Sequence, residues 1–391
     1  MLDTVRTTPP TTSRRRPGGR TALAGVLVLT CLGAGAVAPA AQAAADQAGT
    51  TASASRRPVQ DTTGTVQRVF VHSDALTGNL EGDSPDREVS IYLPPGYDAD
   101  KHTHYPVLYM LHGSGGTDLS YFAPDASTNI PATADRTLAA GTSSEMIIVT
   151  PNAMTVNGGS NYSSGATTGD WESFISEELV FYVDANYRTI DDREGRGIAG
   201  HSMGGYGALR IGMKHADVFS SMYVLSSCCI DKDSNIPDTP EEIAAMEDYT
   251  AHPENYPDGA PRIINTAVQA AAAWAPNPAK APLYFDSPYE NGELVPEVYA
   301  RMIANRPLSF VDQYISDLRT QHIAFDVGDE DLNIARNLTR LDEVLTSYDV
   351  EHSFEVYAGN HGNRIPVRFE EEVLPFFSEN LTPATREPGR H

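Results

Sequence analysis

One stretch, Gly200-His201-Ser202-Met203-Gly204-Gly205, constrains this chain more than any other. It fits the pattern G-x-S-x-G. Before it, Arg196-Gly197-Ile198-Ala199 reads as a short buried strand. After it, Tyr206 to His215 reads as a helix, with Leu209, Ile211 and Met213 among its apolar residues. A serine on a sharp strand-to-helix turn has strained backbone angles, and neighbouring side chains would collide there. Glycines at 200, 204 and 205 remove those side chains. The turn leaves the Ser202 hydroxyl exposed above a sheet, at a helix N-terminus that favours developing negative charge.

The rest of the chain supplies the sheet. Val66 to Val71, Arg87 to Leu93, Pro106 to Leu111, Met146 to Thr150, Phe219 to Leu225, His322 to Val327 and His352 to Tyr357 read as further strands. Several are continuous apolar runs, the kind buried on both faces of a parallel sheet. Asp170 to Tyr187 reads as a helix with Trp171, Phe174, Ile175, Leu179, Tyr182 and Val183 on one stripe. Leu332 to Tyr348 reads as another, with Leu338, Leu341, Leu345 and Tyr348 on one face, and Pro366 to Glu379 as the last. Alternating strands and helices imply a mostly parallel sheet with helices on both faces. The alternation breaks over residues 231–318, a proline-dotted segment. There Glu241 to Met246, Ile263 to Trp274, Pro296 to Ile303 and Leu308 to Leu318 read as short helices of a cap over the serine turn.

The ends read differently. Residues 1–43 are expected to be a secretory signal peptide: Arg14, Arg15, Arg16 and Arg20 precede an apolar run from Thr21 to Val37, and Ala41-Gln42-Ala43 offers a cleavage site. Residues 44–60 read as a flexible leader, 61–381 as the folded domain and 382–391 as a polar tail. No other stretch approaches the roughly 18 apolar residues of a membrane span, so no stable membrane anchor is expected. The formal net charge of −24 argues against nucleic acid as a partner, because phosphate binding needs basic patches. Cys228 and Cys229 are adjacent and read as two buried thiols at a strand end.

A serine hydroxyl needs a base, and the base an orienting carboxylate. In chain order the acid and then the base should follow the serine, at the carboxyl ends of the last two strands. His352 opens a strand and reads as structural; His391 is the last residue. His361, in Ala358-Gly359-Asn360-His361-Gly362, is the expected base. Asp326, Asp329, Glu330 and Asp331 compete for the acid. Asp331, past Gly328, is preferred, although it could serve instead as a helix N-cap. The oxyanion needs two N–H groups: Met203 supplies one, and Gly113 or Ser114, in His112-Gly113-Ser114-Gly115-Gly116, the other. That loop lacks the Gly-Lys-Ser/Thr ending of a phosphate loop. Asp231-Lys232-Asp233-Ser234-Asn235, with Glu242 at the twelfth place, begins like a calcium loop, but Ile236 holds the position that needs glycine. No metal and no cofactor are expected.

Six segments carry a resemblance: Tyr92-Leu93-Pro94-Pro95-Gly96-Tyr97, Leu111 to Gly116, Trp171 to Arg188, Gly200 to Gly205, Gly328 to Asp331 and Gly359 to His361. The chain resembles the esterase family of α/β-hydrolases, which takes in feruloyl and acetylxylan esterases, S-formylglutathione hydrolases, siderophore esterases and mycolyltransferases. The resemblance implies an α/β-hydrolase fold. It also implies Ser202 as nucleophile, Asp331 as acid, His361 as base and Met203 and Ser114 as oxyanion donors. The chain departs from many relatives in having Gly362-Asn363-Arg364-Ile365, without tryptophan, after His361, and in its longer cap. The expected function is secreted hydrolysis of short acyl or hydroxycinnamoyl esters of carbohydrate-like alcohols, either small or polysaccharide-linked. Some of the cap aromatics Trp274, Tyr284, Phe285, Tyr289, Tyr299, Phe310 and Tyr314 would line the cleft. Acyl transfer of the mycolyltransferase type uses the same three residues and is the alternative. A non-catalytic binding protein is a second alternative, against which the intact Ser, Asp, His order speaks.

Overall fold

The computed structural model describes residues 63–232 and 236–386. The expected signal peptide and leader, and the last five residues of the expected tail, lie outside them. Eight strands form one sheet: β1 (Thr65–His72), β2 (Asp86–Leu93), β3 (Val107–Leu111), β4 (Ile147–Pro151), β5 (Arg196–His201), β6 (Ser221–Leu225), β7 (His322–Gly328) and β8 (Ser353–Tyr357). Their spatial order is β1-β2-β4-β3-β5-β6-β7-β8. β2 pairs antiparallel with β1 and β4, and all the other pairs are parallel.

Alternation along the buried strands explains the layers. Val107, Tyr109 and Leu111 of β3 enter one apolar cluster, and Leu108 and Met110 enter another. Side chains on successive strand residues point to opposite faces, so a strand apolar at every position must be covered on both. One face carries α1 (Ile130–Ala140) and the C-terminal helical run Ile365–Arg368, Phe369–Val373 and Leu374–Asn380, through Ile130, Phe369, Val373 and Phe377. The other carries the helical run Trp171–Ser173, Phe174–Glu178 and Leu179–Asn186, then α2 (Met203–Lys214) and α3 (Leu332–Ser347). The middle piece of each helical run is a π-helical turn. Arg210 of α2 and Glu172 form a buried ion pair, 2.8 Å from Nε to Oε2, which ties two of these helices together.

All eight expected strands are present, with ends shifted by a residue or two. The differences lie elsewhere. α1 was not anticipated, although Asn129 caps it, Pro131 opens it and Gly141 closes it in the left-handed region. Leu308 to Leu318 is not one helix but two 3₁₀ turns and the short helix Ile315–Leu318, because Phe310 and Tyr314 leave helical angles. Tyr348 lies 40% exposed, off the buried face of α3, just past its end. Thr385–Arg386 pairs with Thr103–His104, so ordered structure continues past residue 381.

The insertion between β6 and β7 carries α4 (Pro240–Ala251), α5 (Asn265–Trp274) and α6 (Pro296–Ala304). α5 is buried from Ala267 through Trp274. Trp274 Nε1 donates to Ser163 Oγ at 3.0 Å, and its ring packs on Tyr206. This helix is part of the core rather than a detachable cover.

Candidate active site

Ser202 follows the last residue of β5 and caps α2 with φ 58° and ψ −117°, a conformation that L-residues rarely adopt. Two glycines make the turn possible. A Cβ on Gly200 would lie 2.2 Å from the Gly204 carbonyl oxygen, and one on Gly204 would lie 2.1 Å from that of Leu111. The second contact brings the serine turn against the end of β3, where the glycine-rich loop begins. The Ser202 N–H donates to Leu225 O at 3.0 Å, and its carbonyl accepts the N–H of Tyr206 at 3.0 Å.

His361 and Asp331 arrive from the carboxyl ends of β8 and β7. His361 Nε2 lies 2.9 Å from Ser202 Oγ and Nδ1 lies 2.6 Å from Asp331 Oδ2. The carboxylate can only accept, so Nδ1 carries the proton and Nε2 is free to accept from the serine hydroxyl. Asp331 occupies the N-cap position of helix Leu332–Ser347, yet its side chain makes no capping bond. The competing acids are placed otherwise. Asp326 is fully buried in β7, bonded to Tyr223 and Arg368. Asp329 accepts the Gly359 N–H at 3.0 Å and so holds the loop that carries His361. The Glu330 N–H donates to Gly359 O, clamping the same two loops. His352 bonds Asp342 and Val350 and stacks on Phe325, away from Ser202. His391 lies outside the described residues.

The glycine-rich loop is fixed at several points. The neutral ring of His112 donates from Nδ1 to Gly113 O at 2.8 Å and accepts the Ala153 N–H at Nε2, also at 2.8 Å. Burial pushes its pKa down to about 4, so it keeps that tautomer. Tyr162 donates its hydroxyl to His112 O, and the Gly115 N–H donates to Gly158 O. Gly113 and Ser114 thus stand beside Ser202, with a Cβ built on Gly113 3.4 Å from that of Ser202. Met203 opens α2, and the first N–H groups of a helix lack intrahelical acceptors. The Ser114 hydroxyl donates to Gln269 Oε1 at 2.9 Å, a contact from a fully buried residue of α5 that no sequence pattern announced.

His201 was likewise missed, although it sits inside the motif. Its Nε2–H donates to His361 O at 2.7 Å, and burial together with the nearby His361 lowers its pKa to about 4. The neutral ring therefore steadies the backbone of the loop that carries His361.

These residues open on a cleft of about 610 Å³, lined by Gly113, Ser114, Tyr121, His201, Ser202, Cys228, Thr266, Asp331, Ile334 and His361 among others. None of the seven cap aromatics is among the residues lining it. Phe285 and Tyr289 line a separate cavity, and Trp274 is buried. The aromatic wall is Tyr121, which precedes α1 in sequence. Cys228 and Cys229 are joined by a disulfide rather than standing as thiols. Glu242 is taken up in a capping box with Thr239, and Asp231 pairs with Arg340; Asp233 to Asn235 lie outside the described residues. Among the described residues, no group of three or more His, Cys, Asp or Glu side chains is arranged to hold a metal.

Comparison with known proteins adds a family model described as "Putative esterase", which matches residues 84–369. An esterase of Mycobacterium tuberculosis is 38% identical over 134 residues, covering 34% of this chain and 27% of its own length. An endo-1,4-beta-xylanase/feruloyl esterase of Xylanibacter ruminicola is 28% identical over 166 residues, covering 42% and 22%. The chain thus spans about a quarter of the length of these curated relatives. A ferulic acid esterase structure superposes with a TM-score of 0.60 at 24% identity, over 82% of this chain and 99% of that one. A fluorophosphonate-binding serine hydrolase of Staphylococcus aureus superposes at 0.53 and 16% identity, over 82% and 99%. At these identities the likeness is one of fold, the α/β-hydrolase fold.

Proposed function

The chain belongs to the esterase family whose model it matches, and from that membership we propose that it is a serine carboxylic-ester hydrolase working through an acyl-Ser202 intermediate. The observation that carries the proposal is the unbroken hydrogen-bonded run Asp331, His361, Ser202 at the mouth of one cleft. In the first half-reaction Ser202 Oγ attacks the ester carbonyl while His361 Nε2 takes its proton. The carbonyl oxygen becomes an oxyanion facing the N–H groups of Met203 and of Ser114 or Gly113. His361 then protonates the departing alcohol, and Asp331 stabilises the imidazolium and fixes its tautomer. In the second half-reaction water attacks the acyl-serine by the same route, returning the acid and free Ser202.

The substrate is a short acyl or hydroxycinnamoyl ester of a carbohydrate-like alcohol. A cleft of about 610 Å³ with Tyr121 on one side and few aliphatic walls supports that class. So do the relatives named for feruloyl ester cleavage. Export across a membrane is the proposed fate, supported by the basic and apolar run over residues 1–43. Among the described residues no helix is long and apolar enough to cross a membrane. The test is a panel of p-nitrophenyl esters of graded length beside feruloyl and acetylated sugar esters. Highest kcat/KM on acetyl, butyryl or feruloyl esters is expected. A maximum at acyl chains of about ten carbons or longer would overturn the substrate class.

A further inference from the structure

The disulfide between Cys228 and Cys229 begins three residues past the end of β6, and Cys228 lines the cleft that holds Ser202 and His361. Its surroundings are tight. Cys229 is fully buried and Cys228 nearly so. The Cys228 N–H donates to Ser202 O at 3.2 Å. Gly205, one turn into α2, leaves only enough room for Ser227: a Cβ there would lie 3.0 Å from the Ser227 Cα. The backbone of Cys229 has φ 69° and that of Ser226 φ 38°, both in the left-handed region that residues other than glycine rarely enter. A ring closed between adjacent residues removes side-chain rotations that two thiols would keep. It also ties the Cys229 side chain to that of Cys228.

We propose that the Cys228–Cys229 ring is a specificity wall of the substrate cleft: a rigid apolar plate beside the nucleophile that selects the group an ester presents to it. The proposal rests on the reading of Ser202 as nucleophile. The frame of Ser202 itself does not need the ring. Its N–H is held by Leu225, its carbonyl also accepts from Tyr206, and its turn is fixed by the packing of Gly200 and Gly204. Opening the ring therefore acts mainly on substrates that reach the wall. Two unlinked thiols, each able to take its own rotamer, would blur the plate, which raises KM for larger acyl groups more than for acetyl.

The experiment compares p-nitrophenyl butyrate with p-nitrophenyl acetate on three forms of the full chain. These are the wild type, the wild type reduced with a water-soluble phosphine, and C228S/C229S. Reduction delivers two electrons and two protons to the S–S bond to give two thiols, while the phosphine becomes its oxide with oxygen from water. Oxidised glutathione reverses it, forming the S–S bond again and two molecules of reduced glutathione. The expected result is a butyrate-to-acetate ratio of kcat/KM that falls roughly tenfold on reduction and returns on reoxidation. C228S/C229S should sit at the reduced value and ignore the phosphine. An unchanged ratio in the reduced wild type overturns the proposal, as does alkylation of both cysteines in denatured protein that has never been reduced. If C228S/C229S fails to fold, the reversible wild-type comparison still decides. Ser202→Ala keeps the two readings apart. Ester cleavage that survives it overturns the nucleophile assignment, whereas cleavage that needs Ser202 but ignores the ring overturns only the wall.

Discussion

At the scale of single residues, two neighbouring carboxylates have been given different work by their direction. Asp331 points to His361 Nδ1 at 2.6 Å, and Asp329, two residues earlier, spends itself on the Gly359 N–H at 3.0 Å. Asp331→Asn presents the base with the wrong hydrogen-bonding partner and is expected to lower kcat on the order of 10⁴-fold while the protein stays folded. Asp329→Asn keeps an acceptor for Gly359 and should cost far less activity. Parallel kcat measurements check this, and the reverse order would move the acid to Asp329. Sequence order and strand position left four candidates for the acid and favoured Asp331; the side-chain directions show that Asp331 bonds to His361 while Asp329 bonds to Gly359. The disulfide overturns the reading of Cys228 and Cys229 as two thiols: neighbouring cysteines look alike in sequence whether bonded or free, and only the folded chain shows the bond.

At the scale of elements, the loop after β3 depends on one buried imidazole that uses both ring nitrogens, to Gly113 and to Ala153. Its pKa is pushed from 6.5 down to about 4 by burial. Between those values the unfolded chain takes up a proton that the native state refuses. The stabilising contribution of neutral His112 is therefore complete above pH 6.5 and is lost as pH falls toward 4, by at most about 1.4 kcal/mol per pH unit. Urea unfolding of wild type and His112→Asn between pH 7 and 5 should show the stability gap narrowing as pH falls. A gap that stays constant would place the titration elsewhere. The elements themselves were legible where burial writes a plain signal. β3 and β4 are apolar at nearly every position, which marks strands covered on both faces. Leu308 to Leu318 misled because apolar spacing suits a helix, while Phe310 and Tyr314 leave helical angles to fit against their neighbours. The cap aromatics misled for a related reason: spacing cannot tell a ring that lines a cleft from one, like Trp274, that the core consumes.

At the scale of the whole molecule, an eight-stranded sheet brings together three side chains that lie 159 and 30 residues apart in sequence. The meeting of Ser202, Asp331 and His361 was readable because each follows the carboxyl end of a strand. The support that fixes them was not, since Gln269 and His201 act through contacts that only the folded chain creates. The central claim is that Ser202, activated by His361, is the nucleophile. The most direct test is labelling with a fluorophosphonate, followed by mapping of the modified peptide by mass spectrometry. The account predicts one adduct, on Ser202, formed rapidly in wild type, absent in Ser202→Ala and slowed on the order of 10³-fold or more in His361→Ala. An adduct on any other residue, or labelling that persists in Ser202→Ala, would contradict it.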